Sequence, residues 1–106
     1  MSTATQTSDI QTIFNQWWHH SGSLVLKLAP ECRQIWLESI SEVIRYYRLA
    51  QHSAETDDKK LYASLCRVSL AKTRAEMMNF LVSGYVPLAQ MQQLHRLEAA
   101  LEEILE

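Results

Sequence analysis

Apolar residues recur along this chain at intervals of three and four, the period of a helix that buries one side. The first stripe is Ile10, Ile13, Phe14, Trp17, Trp18, Leu24, Val25 and Leu28, with Ser21 at a seam position and Gly22 beside it. Its phase is the same before and after Gly22. A loop would not preserve that phase, so the pattern predicts one helix from Ser8 or Asp9, either of which suits the N-cap, to about Leu28, despite a glycine cost of about 1 kcal/mol. Pro30 fits the first turn of a second helix, where its missing N–H has no partner to lose, and it pushes Ala29 toward extended backbone. Trp36, Leu37, Ile40, Val43, Ile44 and Tyr47 carry that helix to about Gln51, with Glu38, Glu42, Arg45 and Arg48 largely off the stripe. His52 to Asp58 breaks the pattern, and Thr56 or Asp57 is a natural cap for a third helix. Leu61, Leu65, Val68, Leu70, Met77, Met78, Phe80 and Leu81 extend it to about Ser83, where Gly84 supplies a left-handed end and Pro87 blocks continuation. A last helix, from about Pro87 to Leu105, turns Leu88, Met91, Leu94, Leu97, Leu101, Ile104 and Leu105 inward. Gln90, Gln92, Gln93, Glu98, Glu102 and Glu103 then face mostly outward.

Helices of similar length joined by short turns must be antiparallel neighbours in sequence order. The expected fold is all-α, an antiparallel up-down-up-down four-helix bundle over residues 9–106, preceded by a disordered tail over residues 1–8. Trp17 and Trp36 are expected in the core. Trp18 and Tyr46 fall on the shoulders of their stripes, where an amphipathic aromatic suits a subunit interface, and they are the candidate oligomer contacts.

Composition narrows the picture. The chain has 106 residues, 47% hydrophobic and 21% charged, with two Gly and two Pro, which fits a single domain of long elements and few turns. Met1–Ser8 carries neither the basic nor the apolar region of a secretory signal, and the apolar runs fall far short of the roughly 20 residues that span a bilayer. A cytoplasmic protein without a membrane segment is expected. Cys32 and Cys66 lie in separate helices without CxxC spacing and read as reduced thiols in or near the core.

The chemistry-bearing residues form no motif. His19 and His20 are adjacent and point about 100° apart on a helix, unlike the i, i+4 pairs that hold a metal. No acidic or cysteine residue precedes His52 or His95 at ligand spacing, so no Glu-x-x-His pattern is present. Nucleophile elbow and glycine-rich phosphate loop are likewise missing from the sequence. The expectation is a non-enzyme with no catalytic residue, cofactor, metal or small-molecule substrate. Charge is more informative. The formal net charge is −2, yet Arg45 to Arg74 holds Arg45, Arg48, Lys59, Lys60, Arg67, Lys72 and Arg74 against Glu55, Asp57 and Asp58, whereas the last helix is acidic. Lys60, Arg67 and Arg74 recur every seven residues and line one side of their helix, a geometry that suits a phosphate backbone or an acidic protein face. Arg45, Arg48, Lys60, Arg67 and Arg74 are therefore the candidate nucleic-acid or partner contacts.

The succession Leu28-Ala29-Pro30 with Arg33, Lys60 followed by Leu65, Arg74, and Gly84-Tyr85 before a last helix resembles a family of four-helix bundles. That family includes the accessory variability proteins of diversity-generating retroelements and the proteins encoded in ribosomal RNA intervening sequences. The resemblance implies a homo-oligomer, a pentameric barrel, that binds a reverse transcriptase and RNA or DNA through the basic residues named above. The net charge and the acidic last helix depart from that pattern. The expected function is a non-enzymatic oligomeric accessory or scaffold protein of a nucleic-acid-handling complex, partnering a reverse transcriptase. The alternatives are a protein-only helical adaptor and a small helical subunit of a ribonucleoprotein effector.

Overall fold

The structure, a computed structural model, describes the backbone of residues 3–84 and 86–105 and the side chains of residues 10–84 and 86–105. Among the described residues there are four α-helices, α1 (Thr3–Leu24), α2 (Pro30–His52), α3 (Thr56–Val82) and α4 (Leu88–Leu105), with a 3-10 turn over Val25–Lys27. The helix runs unbroken through Gly22 as the stripe requires. Its start differs from the expectation: α1 begins at Thr3, because neither Gly nor Pro interrupts residues 3–8, where the sequence pattern suggests a tail. Met1 and Ser2 lie outside the described residues, as do the side chains of Ser8 and Asp9.

The other end of α1 also differs, stopping short of Leu28, and Arg33 supplies the reason. Its Nε donates to the carbonyls of Val25 (3.1 Å) and Leu28 (2.9 Å), and Nη2 donates to Leu26 (3.3 Å). One guanidinium thus serves three carbonyls that a continuing helix would have paired, and the chain tightens to 3-10 before Leu28 turns extended. Ala29 is extended and Pro30 occupies the first turn of α2, as expected. The cap of α3 is Glu55, through its backbone conformation and without a side-chain bond, and Thr56 already belongs to the helix; Asp57 and Asp58 favour the positive end of its dipole. Gly84 takes φ 82°, the left-handed conformation that ends α3.

Side-chain contacts fix the topology. Phe14 stacks on Tyr47 with ring centroids 3.8 Å apart, and the Trp36 indole N–H donates to the Ser21 carbonyl at 2.8 Å, so α1 and α2 run antiparallel. Cys66 lies against the Val43 carbonyl and Phe80 against the edge of Trp36, which orders α2 and α3 the same way. Thr73 meets Glu98 and Arg74 meets Glu102 across α3 and α4, while His20 and Gln93 close the ring between α1 and α4. The result is the expected four-helix bundle. Spacing within it is uneven. Phe14, Trp17, Trp36 and Tyr47 fill the interval between α1 and α2, whereas α2 and α3 come close enough for the Cys66 thiol to reach a backbone carbonyl at 3.6 Å.

α3, with 27 residues, is about 40 Å long and α4, with 18, about 27 Å. The α2–α3 hairpin accordingly projects past the end of α4, and the long axis reaches 42 Å. Trp17 and Trp36 are fully buried, as expected. Leu37, Leu61, Val68, Met78, Leu88 and Ile104, expected inward, are instead exposed, and Glu98, expected outward, is fully buried. Among the described residues no helix is long and apolar enough to cross a membrane.

Candidate functional site

The five basic candidates do not form one surface. Arg45 and Arg48 project from the solvent side of α2, where with Ser41, Ile44 and Leu49 they line a shallow depression. Arg48 also lines a groove of about 370 Å³ between α1 and α2, with Gln11, Asn15 and Trp18 from α1 and Gln51 and His52 from α2. Trp18 is half-exposed there, so an indole face, a guanidinium and several amides open on the same strip of surface.

Lys60, Arg67 and Arg74 lie on α3, on the shoulder that turns toward α4. Arg74 is engaged there, its Nη2 2.7 Å from the Glu102 carboxylate and its Nη1 donating to the other oxygen at 3.1 Å. A bidentate, half-buried pair of this kind is the stronger class of ion pair, and it takes Arg74 out of the freely available set. Arg67 is half-buried, with Nη2 donating to Ser64 at 3.2 Å, and Lys60 is exposed. The seven-residue repeat is therefore real as geometry but graded in availability, from exposed Lys60 to neutralised Arg74.

Trp18 and Tyr46 fall on different sides of the bundle. Trp18 opens onto the α1/α2 groove. Tyr46 sits four residues after Glu42, which reaches Lys72 of α3 at 3.7 Å, and so lies on the α3 side of α2, half-buried, with the Arg45 guanidinium 5.8 Å from its ring centroid.

The residue that sequence reasoning placed wrongly is Glu98. Met91, Leu94, Glu98, Leu101 and Leu105 are all buried and follow one another at intervals of three and four, so Glu98 occupies a core position of α4. The signal was that spacing; reading Leu97 as the inward residue obscured it. Burial pushes the Glu98 carboxyl up to about 7, a rise opposed by the Thr73 hydroxyl, by Arg74 and by the Trp17 indole and assisted by the Glu102 charge. Oε2 makes a short contact with Thr73 Oγ1, while Oε1 and the Trp17 N–H are buried without a bonded partner among the described residues. Thr73 Oγ1 also lies 2.7 Å from the Leu70 carbonyl. One hydroxyl hydrogen cannot serve both oxygens. The arrangement is complete when Glu98 is protonated, donating to Thr73, which in turn donates to Leu70.

His95, three residues away, has its pKa lowered by burial and by Arg74, and its Nε2 is buried without a partner among the described residues. Cys66 is buried and its thiol is pushed up to about 12, which makes it a poor nucleophile; Tyr47 is raised by burial and by the neighbouring Cys66. Cys32 is half-buried and a free thiol. Among the described residues, no three His, Cys, Asp or Glu side chains converge on a point that could hold a metal.

No protein-family model, curated protein or solved structure matches this chain. The likeness to the retroelement accessory family rests on the scattered positions quoted above, of which Tyr85 lies outside the described residues.

Proposed function

We propose that this chain is a non-enzymatic, homo-oligomeric accessory protein of a complex that handles nucleic acid, with a reverse transcriptase as the partner implied by the family resemblance. The observation that carries the nucleic-acid reading is the α1/α2 groove, where the half-exposed Trp18 lies beside Arg48, which also borders the neighbouring depression that Arg45 lines. A single strand is bound by the combination of an aromatic face for a base and cations for the flanking phosphates, each stacked base contributing about 1–3 kcal/mol. Gln11, Asn15 and Gln51 offer amide donors and acceptors along the same groove. Neither the indole nor the arginines distinguish one base from another, so the mode is sequence-tolerant.

The test is binding of a fluorescent single-stranded RNA at low and at moderate salt. Arg45→Glu with Arg48→Glu is expected to weaken binding by at least about tenfold and to flatten its salt dependence, because each lost phosphate contact releases one fewer counterion. Trp18→Ala is expected to weaken binding while leaving the salt slope unchanged. A folded double variant that binds as the parent does would remove the groove as the contact surface. Light scattering on the same samples tests the oligomer, since a 12.3 kDa species would eliminate it.

A further inference from the structure

α3 is apolar on two opposite sides. Cys66, Leu70, Met77 and Phe80 face the core and are buried. Diametrically across the helix, Leu61, Val68, Ala71, Ala75, Met78 and Val82 are all exposed, the four larger ones to 54, 66, 45 and 84%. Positions 61, 68, 75 and 82 are spaced by seven, and Ala71 and Met78 fall between them at the complementary step, which is the a/d spacing of a helix-packing seam. The seam is about 31 Å long. Single exposed apolar residues are ordinary, but a continuous stripe at this spacing is the surface that one helix presents to another. Its middle is two alanines, which let a second backbone approach closely, while the larger side chains at either end supply contact area.

The charges beside the seam say what kind of helix fits. Lys60 and Arg67 stand on one shoulder and Lys72 on the other; Lys72 approaches Glu42 only at 3.7 Å with both side chains about half-exposed, a contact of little strength. Of the α3 carboxylates, Asp57 and Asp58 lie in its first turn, and Glu76, on the Lys72 side, is half-buried. A second copy of α3 is a poor occupant. A parallel pair would set Arg67 against Lys72 of the other copy, and an antiparallel pair would set the Lys60 and Arg67 shoulder of one copy against the same shoulder of the other. A helix with an apolar seam and acidic flanks meets neither penalty.

We propose that the outward seam of α3 is a docking site for an acidic amphipathic helix of a partner protein. The seam shares no residue with the α1/α2 groove, so this inference stands independently of the nucleic-acid reading. Binding buries Val68 and Met78 against the partner's apolar seam, and Lys60, Arg67 and Lys72 fix its orientation and exclude basic helices.

The experiment uses the full chain and two labelled three-heptad helical peptides with leucine on the seam, one with glutamate on both flanks and one with lysine, followed by fluorescence anisotropy. The glutamate peptide is expected to bind at least about tenfold more tightly than the lysine peptide, a preference that Lys60→Glu with Arg67→Glu reverses. Val68→Glu, which sets a charge in the seam at a solvent-exposed position and so leaves the bundle folded, is expected to weaken the glutamate peptide by about tenfold or more. Retention of single-stranded RNA is expected to be unchanged in both variants. Equal affinity for the two peptides, or binding that Val68→Glu leaves intact, would overturn the proposal. So would a parent oligomer that Val68→Glu dissociates, which assigns the seam to a second copy, or loss of RNA in the Lys60/Arg67 variant, which assigns the cations to phosphate.

Discussion

Replacing Glu98 by glutamine isolates the buried carboxyl without changing its shape. An unperturbed glutamate titrates at 4.5 and Glu98 in the fold at about 7. Because each pH unit of separation corresponds to about 1.4 kcal/mol, ionising Glu98 inside the bundle costs on the order of 3 kcal/mol. The folded value lies above the unfolded one, so the folded chain holds this proton more tightly. Its contribution to stability is present in full below pH 4.5, declines as the pH rises toward 7, and is lost above that. Against a domain stability of about 5–15 kcal/mol, a loss of this size is easily read from a denaturant midpoint.

The Glu98→Gln variant keeps the geometry in its neutral form at every pH. Its new amide can donate to Thr73 Oγ1, which goes on donating to Leu70, and its side-chain oxygen faces the neighbourhood of the Trp17 N–H as the Glu98 Oε1 does now. Urea unfolding followed by circular dichroism is expected to give the two proteins stabilities within about 1 kcal/mol of each other near pH 4.5, the scale of one exchanged hydrogen bond. By pH 8 the glutamine variant should be the more stable by about 2–3 kcal/mol. A stability difference that stays constant from pH 4.5 to 8 would refute the reasoning, because it would mean that Glu98 ionises as freely in the bundle as in the unfolded chain.

The two glycines are expected to respond with opposite sign. Gly22→Ala adds a methyl group that meets nothing within 4 Å on a helical backbone, and should raise stability by about 0.5–1 kcal/mol; Gly84→Ala forces a side chain onto φ 82° and should lower it by about 1–2 kcal/mol, both read from urea midpoints. The cysteines should separate kinetically under a thiol-reactive dye at pH 8. Half-buried Cys32 reacts first, and Cys66, buried with its thiol pushed up to about 12, reacts only as fast as the bundle opens, so equal rates would contradict its placement.

The helix count, the turn at Pro30, the left-handed Gly84 and the burial of Trp17 and Trp36 were all legible, because each depends on local sequence: a period, a missing N–H, a residue without a Cβ, a wide apolar side chain on a seam. Boundaries were less so. α1 ends where it does because Arg33, in the next helix, claims three carbonyls, a long-range cause that no stripe reveals. The basic candidates were legible as a sequence interval but not as a surface. Arg48 on α2 joins Trp18 of α1, while Arg74 is consumed by Glu102 of α4, and both facts depend on which helices become neighbours.

Glu98 and the outer face of α3 share a deeper reason for having been misread. Assigning every apolar residue inward and every charged one outward presumes a single apolar side per helix. α3 breaks that presumption in one direction, placing Leu61, Val68, Met78 and Val82 on water while Leu70 and Met77 fill the core, and α4 breaks it in the other, setting a buried carboxyl beside Trp17 and Thr73. Both departures cost stability in an isolated bundle, through unburied apolar area in the first case and desolvation of an ionisable group in the second. The two costs differ in how they are relieved. Protonation relieves Glu98 without any partner, which makes it a property of the bundle itself. The α3 stripe is relieved only by covering it, and a stripe with coiled-coil spacing, alanines at its centre and cations on both shoulders is covered best by a helix of the opposite charge.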